Sequence, residues 1–84
     1  MAKEKEIGVI DHFFDKIMVA GVTLKSTLKV GDTIHIAGHT TDVTVSVDSL
    51  QIDKEPVESA KSGESVGLKV SEKVRKGDKV FLVS

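Results

Sequence analysis

The chain has 84 residues, of which 39% are hydrophobic and 30% are charged, so its length allows one folded domain and excludes a two-domain enzyme. We predict a single domain over residues 1–84, with residues 1–4 as a flexible N-terminus. The sequence contains no cysteine, which excludes disulfides, thiolate metal sites and a cysteine nucleophile.

Twelve Lys and Arg residues balance 13 Asp and Glu residues, and the net charge is −1. Proteins that bind a nucleic-acid duplex by counterion release usually carry a basic surplus, so we expect no binding to duplex DNA. The longest uncharged apolar stretch, residues 17–24, is much shorter than the roughly 20 residues of a membrane-spanning helix, and the N-terminus lacks the apolar run of a secretory signal. We therefore expect no membrane association and a cytoplasmic location.

Valine, isoleucine and threonine together make up 25 of the 84 residues, which indicates an all-β protein. The alternation of apolar and polar residues predicts strands, in chain order, over 5–12, 16–24, 32–37, 42–52, 65–70 and 79–83. The clearest alternation is at Val43, Val45 and Val47, which polar residues separate. Because a small open sheet exposes two edges, we predict that the six strands close into a small Greek-key-type barrel.

Glycine, proline and aspartate separate these strands, and two of the turns share a pattern. Leu28–Ile34 and Val74–Val80 both contain an apolar residue, a basic residue, a variable residue, Gly-Asp, a variable residue and a β-branched residue. We interpret the pattern as repeated turn chemistry, in which glycine supplies a positive φ before a strand begins. One pair of such turns is too few for a repeat fold.

Three histidines, His12, His35 and His39, are the first candidates for acid–base or metal chemistry. A strand end and Gly38 separate His35 from His39, so the two do not share a helix face, and a metal site needs further ligands in fixed geometry. His35 lies between two isoleucines and is more simply an outward-facing residue. The sequence contains no phosphate-binding loop, and its Gly-x-Ser-x-Gly match at residues 63–67 leads into a predicted strand and not into the helix that a nucleophile elbow needs, so we predict no enzyme activity, no GTP binding and no cofactor or metal.

Two polar segments are candidate binding loops. Residues 38–42 contain His39, Thr41 and Asp42, which offer hydrogen-bond donors and acceptors on a loop between strong strands. The alternative is that Asp42 or a threonine hydroxyl only caps backbone N–H groups of the turn. Residues 11–16 contain two adjacent phenylalanines, which cannot both face inward on a strand, so we expect one of them to be exposed.

Several segments, taken in chain order, resemble the second, β-barrel domain of translational GTPases such as elongation factor Tu. These are Leu28–Ile34, Val47–Leu50, Ala60–Leu68 and Arg75–Val80. Two further segments, His12–Ile17 and Ile34–Asp42, are similar to small stand-alone translation-factor-like proteins and to the C-terminal domain of collagenase-like peptidases. The resemblance covers nearly the whole chain and implies a six-stranded barrel without the GTPase domain.

In the elongation-factor domain, the segments that match Val47–Leu50 and Gly63–Gly67 help to hold the 3′ end of aminoacyl-tRNA. This chain has Ser49 where the elongation-factor motif has glutamate, and Ser65 where it has asparagine. We therefore do not expect the pocket for the terminal adenine to be intact.

The resemblance implies, as the leading hypothesis, a non-enzymatic binding module that contacts tRNA, ribosomal RNA or another translation component. The alternative is a protein–protein docking module for a separate RNA-modifying or peptidase-like enzyme chain, and a nearly neutral surface suits this reading. The residues that we predict to contact the partner are His12, Phe14, Lys16, His39, Thr41, Asp42, Lys61 and Ser65.

Overall fold

The structure, a computed structural model, describes residues 4–53 and 55–83, which form ten strands and no helix. The strands are β1 (Glu4–Phe14), β2 (Val19–Leu24), β3 (Leu28–Lys29), β4 (Thr33–Ala37), β5 (Asp42–Ser46), β6 (Leu50–Ile52), β7 (Glu55–Val57), β8 (Ser59–Ala60), β9 (Ser65–Lys69) and β10 (Lys79–Val83). The all-β prediction is thus confirmed. Of the predicted flexible N-terminus, residues 1–3 lie outside the described residues, and Glu4 already belongs to β1.

Eight strands form one antiparallel sheet in the order β5-β4-β10-β1-β2-β9-β6-β7, and β3 pairs with β8 in a separate two-stranded ribbon. Because β5 and β7 are the two edges, the sheet is not closed, and the prediction of a closed six-stranded barrel is corrected. Within the part of the chain that the structure describes, no helix is long and apolar enough to span a membrane.

The predicted strand over residues 42–52 is broken into β5 and β6. At the break, the Val47 N–H donates to the Asp32 carbonyl at 2.8 Å, and the Val47 carbonyl accepts the Gly31 N–H at 2.8 Å. The chain then bends toward β9, where Leu50 pairs with Leu68. This bend directs the two halves of the segment to different neighbours. The other three additional strands, β3, β7 and β8, lie outside the six predicted strands.

The core lies on the concave side of a strongly curled sheet. Val43 and Val45 on edge strand β5 belong to the same buried cluster as Leu50 on β6, which is near the opposite edge of the sheet. Leu28 and Ala60 of the β3–β8 ribbon also belong to this cluster. The curled sheet and the β3–β8 ribbon together therefore enclose the core, although the sheet is not closed into a barrel.

The turn pattern read from the sequence occurs three times. Gly31, Gly63 and Gly77 have φ values of 98°, 88° and 94°. In each turn, the carboxylate of the residue after glycine accepts the backbone N–H three residues earlier, in the pairs Lys29–Asp32, Lys61–Glu64 and Arg75–Asp78, at 2.9, 2.7 and 2.8 Å. The sequence also predicts the middle turn, but the shared Gly-Asp pattern does not include it, because glutamate stands where the other two turns have aspartate.

Candidate functional site

An apolar groove lies on the outer face of the sheet, across β2 and β9. The strand register places Gly21 opposite Gly67, and Gly67 in turn opposite Gln51 on β6. Two neighbouring strands therefore have no side chain at this position, and the glycine backbones form the floor of the groove. Its volume is about 470 Å³, and its lining includes apolar Phe14, Ile17 and Val19 together with polar Gln51, Asp53 and Ser65.

Phe14 and Ile17 are exposed to an unusual degree for large hydrophobic side chains. Their exposed fractions are 49% and 61%. Full burial of a side chain of this size is worth roughly 1.5–3 kcal/mol, and exposed apolar clusters commonly mark sites of interaction. Val30 is similarly exposed, at 42%, but it lies in the turn between β3 and β4 and does not line the groove. The groove thus gathers two exposed apolar side chains in one place.

The turn between β1 and β2 holds Ile17 at the groove. The next residue in this turn, Met18, has an unfavourable backbone conformation. Met18 has a φ of 54°, in the left-handed region, which costs a non-glycine residue about 1–2 kcal/mol. Its carbonyl accepts the Val70 N–H at 2.9 Å, and this bond ties the turn to the end of β9. Backbone strain of this kind concentrates at functional sites, so the turn is a candidate for function independently of its exposed side chains.

Four of the residues predicted to contact a partner come together here. Phe14 and Ser65 line the groove, and Lys16 lines an adjoining hollow beside Phe14. The ring centroid of His12 lies 4.5 Å from that of Phe14, with the rings tilted by 48°. As expected for adjacent phenylalanines, Phe13 packs against the core while Phe14 faces outward.

The other four predicted contact residues line no part of this groove. His39 and Asp42 are exposed on the β4–β5 hairpin, and Lys61 starts the Gly63 turn, where its N–H donates to Glu64. Thr41 is only 7% exposed, so it offers little surface to a partner. Thr41 faces inward, as Val43 and Val45 do, because the three residues are spaced two apart. The alternation in the sequence could therefore have predicted its burial.

Asp42 belongs instead to a charged cluster that the sequence did not reveal. His35 on β4 contacts Glu4 through Nδ1 at 2.8 Å and Asp42 through Nε2 at 2.5 Å. Hydrogen bonds with Glu4, and then with Asp42, raise the pKa of His35 above its usual value. The alternation correctly placed His35 on the outer face, but nothing in it identified the carboxylates that meet the ring.

A second ion cluster lies on the same outer face, around Glu6. The Glu6 carboxylate pairs with Lys25, and its other oxygen lies 3.7 Å from Lys79 Nζ. The hydrogen bond from Lys25 is the main cause that lowers the pKa of Glu6. Across residues 4–53 and 55–83, no group of three or more His, Asp or Glu side chains is arranged to hold a metal ion.

Comparison with known proteins shows relatives among proteases. No family profile matches the chain. An uncharacterized protease of Methanocaldococcus jannaschii is 48% identical over 79 residues, which cover 93% of this chain and 19% of the protease. A collagenase of Porphyromonas gingivalis is 35% identical over 77 residues, which cover 89% of this chain and 21% of the collagenase. The chain therefore spans about a fifth of the length of these curated relatives.

Solved structures show the same fold. The C-terminal domain of a putative U32 peptidase of Geobacillus thermoleovorans superposes with a TM-score of 0.87 at 14% identity, over 93% of this chain and 91% of that domain. Its selenomethionine variant superposes with a TM-score of 0.86, over 90% of this chain and 96% of the domain. At this level of identity, the likeness establishes the architecture alone.

These relatives decide between the two resemblances read from the sequence. The similarity to the C-terminal domain of collagenase-like peptidases is confirmed. The similarity to the elongation-factor domain is not supported, and the prediction of a translation-related, RNA-binding module is wrong, because the relatives are a protease and a collagenase. This chain is therefore similar in sequence to a segment of a protease and of a collagenase, and it shares the all-β fold of the C-terminal domain of a putative U32 peptidase.

Proposed function

We propose that this chain is a non-enzymatic docking module that packs against a peptidase-like protein through the groove at Phe14 and Ile17. The observation that carries the proposal is the pair of exposed side chains beside a floor of paired glycines. The choice of partner is supported by the curated relatives, in which the similar segment is part of a protein about five times as long.

The groove has the chemistry of an anchor site for an apolar side chain. A Cβ atom added at Gly67 would meet a single neighbour, the Val19 side chain, at 3.3 Å, so the space over the β9 backbone is otherwise open. A partner side chain placed there would contact the Phe14 ring and the Ile17 side chain. Buried aromatic and aliphatic anchors of this kind supply most of the energy of many protein interfaces.

The charge distribution favours docking on one face. The His35 and Glu6 clusters lie on the outer face of β4, β10 and β1, whereas the groove lies across β2 and β9. Charged residues are depleted at the centre of protein interfaces, and polar residues such as Gln51 and Ser65 are typical of their rim. The apolar groove is therefore the part of the outer face best suited to contact another protein.

The test measures binding of the 84-residue chain to the M. jannaschii protease after removal of the 79-residue segment that matches this chain. We expect a complex with a negative heat-capacity change in isothermal titration calorimetry, because apolar surface is buried. Phe14→Ser and Ile17→Ser should each weaken binding on the order of 30-fold, as for interface hot spots. The intact protease, whose own segment occupies the docking site at high effective concentration, should bind far more weakly.

Val30→Ser is the matched control, since Val30 has a comparable exposed fraction but lies outside the groove. This variant should bind as the unmodified chain does, and circular dichroism should show all three variants folded. A failure to form any complex, or equal weakening by Val30→Ser, would contradict the proposal.

A further inference from the structure

The His35 ring is held between two carboxylates. Nδ1 lies 2.8 Å from Glu4 Oε1, and Nε2 lies 2.5 Å from Asp42 Oδ1. An ionised carboxylate only accepts hydrogen bonds, so each ring nitrogen must act as a donor. Neutral imidazole has one N–H, and only the protonated ring has two. With both carboxylates ionised, the ring can therefore make both hydrogen bonds at once only as an imidazolium.

The hydrogen bond between His35 and Glu4 links two strands that are not neighbours. Glu4 is the first residue of β1, His35 lies on β4, and β10 runs between these strands. Asp42 is the first residue of β5, which pairs with β4 on one side and is an edge of the sheet on the other. The ring thus adds a side-chain link to a strand that has backbone pairing along one side only.

We propose that His35, Glu4 and Asp42 form a proton-controlled clasp that holds edge strand β5 on the sheet. When the ring loses its proton, one nitrogen becomes an acceptor and faces a carboxylate that is also an acceptor, so one of the two hydrogen bonds breaks. β5 carries Val43 and Val45, which at 7% and 8% are the most exposed members of the buried core cluster. Release of the clasp therefore loosens the core at its least protected place.

Of the charged groups on the neighbouring strands, the carboxylates of Glu4 and Asp42 are the ones that contact the His35 ring. On β1, Glu6 lies on the same outer face as Glu4, but it is engaged by Lys25 and Lys79. On β10, Phe81 is opposite His35, with ring centroids 6.2 Å apart, and Lys79 is two residues away. On β5, the residue opposite His35 is the uncharged Thr44.

The direction of the pH dependence follows from these contacts. Glu4 and Asp42 raise the pKa of His35 in the folded chain above its value in the unfolded chain. The clasp is therefore fully formed below a pH of about 6.5, the unperturbed value, and is lost as the pH rises through the folded-state pKa.

The test combines nitrogen NMR of the ring with amide hydrogen exchange of the full chain between pH 6 and pH 9. We expect both ring nitrogens of His35 to be protonated at pH 6, which is below the unperturbed value. In His35→Gln, which cannot carry the charge, the amides of Val43 and Val45 should exchange on the order of fivefold faster than in the unmodified chain at pH 6, a size typical of exposed ion pairs. This ratio should fall toward one at pH 9.

His39→Gln, in the loop of the same hairpin, is the matched control and should leave exchange unchanged at every pH. Asp42→Asn, which keeps the shape and removes the charge, should lower the pH at which His35 titrates. A neutral His35 ring at pH 6, or an effect of His35→Gln that is the same at pH 6 and pH 9, would overturn the clasp. The second outcome would leave His35 a purely structural residue.

Discussion

Gly67 shows how a single residue shapes the proposed docking surface. It lies in the interior of β9, where glycine costs about 0.5–1 kcal/mol relative to alanine. Positive φ explains the glycines of the three tight turns, but Gly67 has no such backbone requirement. Its absence of a side chain instead leaves the groove floor open, opposite Gly21, at the place where a partner side chain would enter.

We expect Gly67→Val to separate stability from docking. Valine favours a strand, so the free energy of unfolding should stay equal or rise by up to about 1 kcal/mol, provided that the half-buried Val19 side chain shifts slightly. Docking should be lost, because the new side chain fills the floor. Thermal unfolding and calorimetric titration of the same variant check both effects. If the Gly67→Val variant were more stable and still bound the partner, the open floor at Gly67 would not be part of the docking site.

At the scale of elements, the turns fall into two classes. In each of the three glycine turns, the glycine N–H and the carbonyl of the following acidic residue bond to one buried residue, which is Val47, Leu24 or Ile10. These turns therefore combine favourable φ values with attachment to the core. The turn between β1 and β2 and the turn after β6 differ, because Met18 and Asp53 have positive φ values without being glycine.

Met18→Gly should relieve this strain. We expect the free energy of unfolding to rise by about 1 kcal/mol, since glycine adopts positive φ without steric cost. Lys16→Gly in the same turn is the control, because Lys16 has no positive φ and glycine there only adds freedom to the unfolded chain. Urea unfolding should therefore show a higher free energy of unfolding for Met18→Gly and a lower one for Lys16→Gly. A loss in both would mean that Met18 is not strained.

At the scale of the whole molecule, the core is enclosed by a curled but open sheet. The strand order leaves β5 and β7 as edges, and the β3–β8 ribbon contributes Leu28 and Ala60 to the core. A domain of this size has little stability to spare, so a defect at either edge affects the entire core. Substitutions on the edge strand β5 therefore test directly how the chain encloses its core.

Val45→Asp and Thr44→Asp place the same charge on adjacent residues of β5 that face opposite sides. Val45 is buried, so an unpaired charge there should lower the free energy of unfolding by several kcal/mol, about 2–7 on the usual scale for buried polar groups, and unfold much of the protein. Thr44 is exposed, and its variant should change stability by no more than about 0.5 kcal/mol. Melting temperatures that fall equally would show that the facing of β5 is wrong.

Local patterns in the sequence determined the all-β class, the facing of many strand residues and the chemistry of the turns. Alternation was sufficient to place Val43 and Val45 inward and His35 outward. Two adjacent phenylalanines were sufficient to predict that one ring would be exposed, as Phe14 is. These features depend on the geometry of a few consecutive residues, which the period of a strand imposes wherever the strand lies.

Only the tertiary structure decided which strands became neighbours. Ser65 reaches the same groove as Phe14 because β9 pairs with β2, and Glu4 reaches His35, 31 residues away, because β10 brings β1 near β4. The bend at Val47 likewise separated β5 from β6, although the alternation had predicted one continuous strand there. A period of two specifies the face that a side chain takes but carries no information about the neighbouring strand, since that choice depends on how the whole chain buries its apolar surface.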